Sequence, residues 1–344
     1  MTAQYIDVAA ILDGNITAPQ TAVGGRRSDG VPLCYASAVN VLLGAPEAGK
    51  TLVAGAMAAD EMFSSGRVLW IDLDHNGPAA IVTRFREFGV SRDMLIDNSS
   101  FRLAVPEDPQ EVMQLVADTI NWRPSLVIVD SIGELLPMFG ANSNDADDYT
   151  RVNRQVLTAL ASTGAGVLAI DHEAKSQSSS NYGATGTAAK KRAIDGALLR
   201  VTNTRPFRPG HGGEAVLSIV KDRHGALRQL VDPDREPAVT VFSIETRDGA
   251  SLARFGMPAV KAPSVSDVEM LQKLTPPPTS VRDVKDRMTW GSTRASKAFR
   301  DFQHVPGTPG NVPGTSGDVR VPVFPTPKGG ERGTLTGNTE TEAA

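Results

Sequence analysis

The stretch Gly44–Thr51, GAPEAGKT, is the part of the chain that decides the fold. It fits the pattern G-x-x-x-x-G-K-[ST], in which the backbone N–H groups of a glycine-rich turn point at phosphate oxygens. In this pattern Lys50 brings a positive charge to the β- and γ-phosphates, and Thr51 offers its hydroxyl to Mg²⁺. The pattern also arises by chance in glycine-rich turns, so the sequence around it decides between the two interpretations.

The flanking sequence supplies the surroundings that a phosphate-binding loop requires. Ala38–Leu43 (AVNVLL) predicts a strand, and Thr51–Phe63 predicts a helix whose N-terminal dipole favours an anion. We therefore predict that this loop binds a nucleotide with Mg²⁺. The residues predicted to contact the nucleotide are Gly44, Ala45, Pro46, Glu47, Ala48, Gly49, Lys50, Thr51 and Leu52.

A second apolar run ends in a carboxylate. Leu126–Asp130, within SLVIVDS, predicts a strand that is buried on both faces, so Asp130 would lie at the carboxyl edge of the sheet. There it could hold Mg²⁺ through water, together with Thr51. Taken alone, the run would be read as an ordinary strand with a terminal aspartate. The phosphate loop earlier in the chain favours the metal role.

A third run, VLWIDLDHN at Val68–Asn76, carries two carboxylates. Strand alternation puts Asp72 and Asp74 on the same side, and Asp74 lies beyond the predicted end of the strand, at Asp72. A carboxylate there can orient or deprotonate the water that attacks a γ-phosphate. The alternative interpretation is a solvated acidic loop.

A fourth run, LAIDHEAKS at Leu168–Ser176, is expected to lie beside the Asp130 strand. His172 at its tip could sense the γ-phosphate, and a satisfied core or capping histidine is the alternative. The long polar segment Lys175–Thr187 follows, and then a group of cations that could contact a single nucleic acid strand or form a plain solvated face. These cations are Lys190, Lys191 and Arg192.

A fifth run, LSIVKDRHG at Leu217–Gly225, brings two cations to the end of a strand. Lys221 and Arg223 are two residues apart, which suits the binding of a phosphate. Exposed strand ends often carry such charges, so this pattern is weak by itself.

Together, these runs resemble the RecA-like superfamily of P-loop ATPases, and within it the hexameric RepA/DnaB-type replicative helicases. The resemblance covers about 31–244. IDLDHN is similar to the IDAEH stretch of RecA proteins, and VIVDS is similar to the family's Mg²⁺-site strand. LAIDHEAK resembles the histidine-bearing strand of RepA-like proteins, although Asp171 stands here where a second histidine is usual. NYGATGTAAKKRAIDGALLRV and KDRHG resemble the glycine-rich segment and the K-x-R-x-G motif that follow.

The resemblance implies roles for individual residues. Asp74 would take the place of the glutamate that activates water, with a side chain one methylene shorter. Lys221 and Arg223 would reach into the nucleotide of a neighbouring subunit, so the protein would form a ring or filament. ATP and Mg²⁺ would be the cofactors, and the catalytic set would be Lys50, Asp74, Asp130, His172, Lys221 and Arg223.

Composition divides the 344 residues into four parts. Residues 1–30 form a lead-in with a short amphipathic stretch at Ile6–Leu12. Residues 31–250 alternate β-rich and helical runs, which predicts an α/β domain with a RecA-like, mainly parallel sheet and an antiparallel extension. Residues 264–303 read as three short helices, and residues 304–344 contain 14 glycines and prolines, so we expect disorder there.

The three predicted helices, Ser266–Leu274, Val281–Met288 and Thr293–Phe302, suggest a helix-turn-helix or winged-helix domain. Arg294, Lys297 and Arg300 would leave the last helix on its polar side and contact duplex DNA. A structural or oligomerising three-helix cap is the alternative.

Charge and cysteine content bound the function. The net charge of −4 excludes nucleic acid binding by bulk charge, and the single cysteine, Cys34, suits a reducing compartment. Without a signal peptide or a long apolar run, we expect a cytoplasmic protein that is not bound to a membrane. The leading interpretation is a hexameric, ATP-hydrolysing DNA helicase. The alternatives are a RadA-like recombination or repair ATPase and an ATP-controlled DNA-binding switch.

Overall fold

The computed structural model describes residues 6–173, 188–231, 237–247, 250–258 and 267–304. The chain divides into two compact units, Met1–Ala259 and Val260–Ala344. The predicted loop 175–187 and the predicted disordered tail after His304 lie outside the described residues.

A mixed sheet of nine strands forms the centre of the first unit, in the order β11-β10-β9-β8-β3-β7-β6-β4-β5. Neighbouring strands are parallel from β8 to β5, and the pairs formed by β8 to β11 are antiparallel. A small antiparallel ribbon, β1 with β2, lies outside this sheet. The strands are β1 Thr21–Val23, β2 Cys34–Tyr35, β3 Ala38–Gly44, β4 Val68–Asp72, β5 Phe101–Ala104, β6 Leu126–Asp130, β7 Gly166–His172, β8 Ala197–Arg208, β9 Gly212–Asp222, β10 Ala238–Arg247 and β11 Ala250–Gly256.

Helices cover both faces of the parallel part of the sheet. They are α1 Val8–Leu12, α2 Lys50–Phe63, α3 Pro78–Glu87, α4 Arg92–Ile96, α5 Pro109–Trp122, α6 Ile132–Met138, α7 Ala146–Asn153, α8 Ala159–Ala161 and α9 Ala188–Ala193. A π-helical segment, Arg154–Thr158, joins α7 to α8. One core lies under α2 and α3, around Met57 and Phe85, and a second lies under α5 to α8, around Val116 and Leu160. Burial of both faces explains the continuous apolar runs of the central strands.

The predicted α/β class, the parallel centre and the antiparallel extension are confirmed. Strand β11, the ribbon of β1 with β2 and several short helices were not predicted. Helix α6 has the sequence IGELLPM, in which Gly133 and Pro137 obscure the helical pattern. The sequence predicts strands at Ala197–Val201 and Ala215–Val220, and the corresponding strands β8 and β9 extend further, to Arg208 and Asp222.

The first unit also includes part of the predicted lead-in. Arg27 is buried, and its Nη1 donates to the carbonyl of Val239 at 2.8 Å. Arg26 pairs with Asp60 of α2 at 2.8 Å. These contacts attach residues before 31 to the sheet and to α2. Helix α1, at Val8–Leu12, matches the predicted amphipathic stretch and has no buried residue.

The second unit contains three helices, α10 Asp267–Gln272, α11 Val281–Met288 and α12 Ser292–Gln303, as predicted. A small core holds them together through Leu271, Val284, Ala295, Ala298, Phe299 and Phe302. Ser280 caps α11 by accepting from the Asp283 N–H. Gly291 occupies the N-cap position of α12, so that helix begins at Ser292.

None of the helices in the described ranges combines the length and the apolar character that crossing a membrane requires.

Candidate nucleotide site

The ends of four parallel strands meet at one edge of the sheet. Gly44 of β3 pairs with His172 of β7, and Asp72 of β4 pairs with Asp130 of β6. Strand β7 lies between β3 and β6, which confirms that the His172 strand neighbours the Asp130 strand. The four strand ends therefore bring the predicted nucleotide loop, histidine and carboxylates to one place.

Glycines shape the loop between β3 and α2. Gly49 has a φ of 92°, and a Cβ there would approach the ring of Phe207 to 2.5 Å. A Cβ at Gly44 would lie 2.7 Å from the carbonyl oxygen of Val201. Both positions therefore exclude larger residues, one by conformation and crowding and the other by crowding alone. Helix α2 begins directly after Gly49, at Lys50, so its N-terminus faces the loop.

Lys50 is 5% exposed and curls back over the loop. Its Nζ donates to the carbonyl oxygens of Gly44 at 3.0 Å and Ala45 at 2.9 Å. Burial lowers the pKa of Lys50, and the carboxylate of Asp130 is the first of several that oppose this shift. Lys50 thus lies at the start of α2 among several carboxylates, whose charges favour its protonated form.

Asp130 is almost fully buried, and its two carboxylate oxygens differ in their contacts. Oδ2 accepts from Nδ2 of Asn76 at 3.1 Å, whereas Oδ1 has no hydrogen-bond partner among the described residues. Burial, with the charge of Asp74, raises the pKa of Asp130 to about 6, while Thr51 and Arg84 act in the opposite direction. A desolvated carboxylate with a free oxygen is suited to a cation.

A Mg²⁺ ion fits the residues at this position. The ion prefers oxygen ligands, keeps several waters, and is usually held by one or two protein groups together with phosphates. The Thr51 side chain lies near Asp130, whose buried Oδ1 lacks a partner in the described part of the chain. These two residues are the ones that the sequence predicted for the metal.

The two aspartates after β4 have different environments. Asp72 is buried, and its carboxylate accepts from Nδ2 of Asn76 at 3.0 Å and from the N–H of Gly77 at 3.0 Å. Asp74 is exposed, and its Oδ1 accepts from Oγ of Ser131 at 3.3 Å. Asp72 therefore closes the turn before α3, whereas Asp74 faces solvent beside the Asp130 strand.

His172 is half-buried at the tip of β7. Its backbone N–H donates to Oδ1 of Asp171 at 2.9 Å, and the ring lies near Gly133 of α6. Burial and the charge of Lys50 lower the pKa of His172, and Asp74 is among the carboxylates that oppose them. The ring is thus electrostatically coupled to the residues of the phosphate loop.

Two residues of the site were missed from the sequence. Asn76 bridges Asp72 and Asp130 through its side-chain amide, and Arg84 of α3 carries a buried Nη1 without a hydrogen-bond partner among the described residues. Burial lowers the pKa of Arg84, and Asp130 is the first of the carboxylates that oppose it. The turn residues IDLDHN gave a signal for Asn76, whereas Arg84 looked like an ordinary surface arginine of an amphipathic helix.

The structure corrects the interpretation of Lys190 as an exposed cation. Lys190 is 2% exposed, and its Nζ lies 3.1 Å from Oδ2 of the buried Asp171. Its charge is therefore compensated inside the protein. Of the three predicted neighbouring cations, Lys191 is half-buried and Arg192 is exposed.

Lys221 and Arg223 lie away from the loop. Leu198 pairs with both Lys221 of β9 and Val41 of β3, so the end of β9 stands near the beginning of the parallel strands. The N–H of Arg223 donates to the carbonyl of Gly196, whose own N–H bonds to Val39. Val39 lies five residues before Gly44 on β3. At about 3.3 Å per residue, the backbone of Arg223 is therefore about 16 Å from Gly44 along the strand direction.

The turn that carries Arg223 is braced from within. The carboxylate of Asp222 accepts from the hydroxyl of Tyr35 at 2.6 Å and from the N–H of Gly225 at 3.1 Å. The ring of His224 packs edge-on against Tyr35 at 4.9 Å between centroids. The Arg223 side chain is exposed and has no ion-pair partner in the described ranges. The turn thus presents this guanidinium to solvent.

In the second unit, Arg294 is occupied within the unit. Its guanidinium makes two hydrogen bonds to the carboxylate of Asp267, at 2.7 and 3.1 Å, and lies over the ring of Trp290. Arg294 is exposed on the polar side of α12, as predicted, and its charge is compensated within the unit. Lys297 and Arg300 are exposed on the same helix.

Comparison with known families agrees with this geometry. Residues 26–178 match the profile of a family described as an AAA domain. The matched range includes the phosphate loop, Asp74, Asp130 and His172, and it ends before Lys221 and Arg223. This match covers less than half of the chain and supports the assignment of the matched domain to the P-loop ATPase superfamily. No curated protein matches the chain.

Proposed function

We propose that the protein is an ATP-driven motor on DNA, a RepA-like replicative helicase that assembles into a homo-oligomeric ring. One observation carries the proposal. Lys50, Asp130 and His172 converge at one edge of the sheet, while the exposed Arg223 stands near the other. In this proposal, each of two opposite sides of a subunit supplies half of a catalytic site.

The chain's own residues divide the work of hydrolysis. The N–H groups of the loop and the N-terminus of α2 hold the phosphates, and Lys50 exchanges its carbonyl acceptors for phosphate oxygens. Thr51 and Asp130 would hold Mg²⁺, which neutralises charge that develops on the phosphates. Burial at Asp130 and Lys50 keeps these electrostatic interactions strong.

Asp74 is the residue that we assign to the attacking water. Its carboxylate is exposed at the strand end and is oriented by Ser131. His172 stands opposite Gly44 and so at the same edge, where it senses the γ-phosphate. Glu134 on α6 is exposed and acts electrostatically on His172, which makes it the next candidate for the base.

Arg223 completes the site of a neighbouring subunit in this proposal. The separation of about 16 Å along the sheet exceeds the reach of an arginine side chain, so Arg223 does not serve the loop of its own subunit. A guanidinium supplied in trans stabilises the charge of the transition state in other nucleotide hydrolases by about 10³–10⁵ in rate. A ring or filament of subunits would bring it there.

DNA is the proposed partner, at two surfaces. Lys191 and Arg192 stand beside the segment that we propose contacts single strands, and Lys297 and Arg300 are the exposed cations of α12 for duplex DNA. A filament on single-stranded DNA would instead favour the RadA-like ATPase. Slow turnover with sequence-specific duplex binding would favour the switch.

The experiment mixes two inactive variants, Arg223→Ala and Lys50→Ala. In a mixed assembly, some interfaces pair the intact Lys50 of one subunit with the intact Arg223 of the next. We expect each variant alone to lose phosphate release and the mixture to regain part of it. Arg228→Ala, which removes an exposed cation six residues from Asp222, is the matched control and should stay active.

Absence of recovery in subunits that co-purify through a tag on one of them would contradict the trans role of Arg223. Negative-stain images with an ATP analogue and single-stranded DNA then separate the three functions. A closed ring supports the helicase, a filament supports the recombination ATPase, and neither form supports the switch.

A further inference from the structure

Lys221 of the KDRHG turn does not have the free ammonium group that a phosphate ligand needs. Its Nζ donates to the carbonyl oxygens of Lys191 at 2.8 Å and Arg192 at 3.2 Å, and also to that of Ile194. Lys191 and Arg192 lie in the last turn of α9, and Ile194 follows its last residue, Ala193. A cation at this end satisfies carbonyls that have no partner inside the helix and complements the helix dipole.

A second lysine, Lys190 of α9, extends toward the sheet edge that carries the candidate nucleotide site. Lys190 pairs with Asp171 at 3.1 Å, and both side chains are at least 96% buried. The ammonium also faces the ring of the buried Tyr149 of α7, at 5.8 Å from its centroid. The position of α9 is therefore fixed at both ends, by Lys221 and by the ion pair.

The ion pair is connected directly to the predicted γ-phosphate sensor. Oδ1 of Asp171 accepts from Nζ of Lys190 at 3.3 Å and from the backbone N–H of His172 at 2.9 Å. His172 in turn lies opposite Gly44 at the start of the phosphate loop. Consecutive contacts thus run from the end of β9 through α9 to the tip of β7.

We infer that Lys221 is a positioning residue that acts in its own subunit, holding α9 so that Lys190 and Asp171 orient His172. The inference rests on the proposed function. It assigns the two cations of the KDRHG turn to different subunits, Lys221 to its own and Arg223 to the neighbouring one. Arg223 is free to serve the neighbour, whereas the ammonium of Lys221 already has three acceptors within its own chain. It departs from the resemblance, which implies that both cations act in trans.

Mixing of inactive variants separates the two assignments. We use Lys221→Met, which keeps an unbranched stem and removes the charge, and expect its turnover to fall by about 10- to 100-fold, as for other losses of outer-shell support. Mixed with Lys50→Ala, it should not recover, because each subunit with an intact Lys50 lacks its own Lys221. The mixture of Arg223→Ala with Lys50→Ala should recover and serves as the positive control.

Recovery in the Lys221→Met mixture would overturn the inference, because only a residue that acts in trans can be supplied by the neighbour. Full activity of Lys221→Met alone would overturn it as well. If the Arg223→Ala mixture fails although its subunits co-assemble, the trans part of the proposed function fails, and the inference is then decided by the exchange measurement below.

Amide hydrogen exchange measures the connection without any catalytic readout. In Lys221→Met, we expect faster exchange in peptides that cover α9 and also in those that cover 166–173, which contain the His172 amide. Arg228→Ala is the control and should match the wild type in both. Faster exchange in α9 alone would reduce Lys221 to a local helix cap and overturn the inference.

Discussion

Asp74 lies exposed past the end of β4, and the hydrogen bond that its side chain makes among the described residues is the 3.3 Å contact from Ser131. This isolation separates binding from chemistry. The hydrogen bonds of Lys50 do not involve Asp74, so the residues that hold the phosphates stay in place when its charge is removed.

We therefore expect Asp74→Asn to bind nucleotide nearly as the wild type does and to lose about 10²–10⁴ in turnover, the usual contribution of a general base. Steady-state phosphate release and fluorescent-nucleotide titration measure the two effects. Glu134→Gln is the matched control on α6 and should retain turnover. The opposite pattern, a normal Asp74→Asn and an inactive Glu134→Gln, would move the base to Glu134.

Asp130, the proposed metal ligand, lowers the free energy of unfolding when its carboxylate is ionised. Its pKa of about 6, raised from 3.8 by burial, means that the folded protein holds this proton more tightly than the unfolded chain does. The free energy of unfolding therefore falls as the pH rises from about 4 to about 6 and stays lower above that range. The raised pKa corresponds to about 3 kcal/mol as an order of magnitude.

Asp130→Asn removes this titration while keeping a carbonyl oxygen as an acceptor for Asn76. Without Mg²⁺, we expect the variant to be more stable than the wild type at about pH 7, by up to about 3 kcal/mol, and equally stable near pH 4. Denaturant unfolding at the two pH values tests this, with the exposed Asp118→Asn as the control. A variant that is less stable at neutral pH would contradict the assigned pKa.

The same titration governs activity. Mg²⁺ binds the ionised carboxylate, so protons compete with the metal. We expect turnover at limiting Mg²⁺ to rise as the pH increases through about 6, where Asp130 ionises, and to depend less on pH when Mg²⁺ is saturating. A pH profile that does not respond to the Mg²⁺ concentration would contradict this assignment.

At the scale of elements, α9 depends on a buried ion pair. Removing one member of such a pair leaves the other charge uncompensated, which costs about 3–5 kcal/mol. We expect Lys190→Met to lower the free energy of unfolding by that amount, whereas Lys191→Met, beside it on the helix, has a small effect. Denaturant unfolding measures both. Equal stabilities would show that the Lys190–Asp171 pair contributes little.

The central elements of the fold were predictable because their signals are local. The central strands are apolar runs bounded by helical patterns, namely β3, β4, β6 and β7. The glycines and the lysine of the loop Gly44–Thr51 predict its turn directly. Asp130 and His172 were predicted because they stand at the ends of these runs, and strand alternation put Asp72 and Asp74 on one side. The residues of the candidate site could thus be predicted to lie at one edge of the sheet.

The rest depended on contacts between distant parts of the chain. Lys190 and Asp171 are 19 residues apart, and Lys221 is 27 residues from Ile194, so no local pattern shows that these lysines are engaged. Arg84 became part of the site only because α3 packs beside α2, where its side chain approaches Gly55. Strands β8 and β9 are longer than predicted because their paired backbones extend past the apolar residues that signalled them.

For the whole molecule, the net charge of −4 means that the proposed DNA binding must use local positive patches. We expect Lys191→Glu with Arg192→Glu to weaken single-strand binding and to lower its salt dependence, because fewer counterions are released. Lys297→Glu with Arg300→Glu should instead affect duplex binding. Fluorescence anisotropy over a salt series distinguishes them, with Arg228→Glu as the control. Unchanged affinity in both pairs would remove these surfaces from the proposal.

The central claim is that the loop Gly44–Thr51 hydrolyses ATP, and phosphate release by Lys50→Ala tests it most directly. Lys50 is the cation that the loop aims at the phosphates, and loss of one such group typically lowers turnover by about 10²–10³. We expect that loss, with an unfolding temperature no lower than that of the wild type, because burial already disfavours the charged lysine. Lys273→Ala, in the second unit, should leave turnover unchanged. Turnover equal to the wild type in a folded Lys50→Ala protein would contradict the claim.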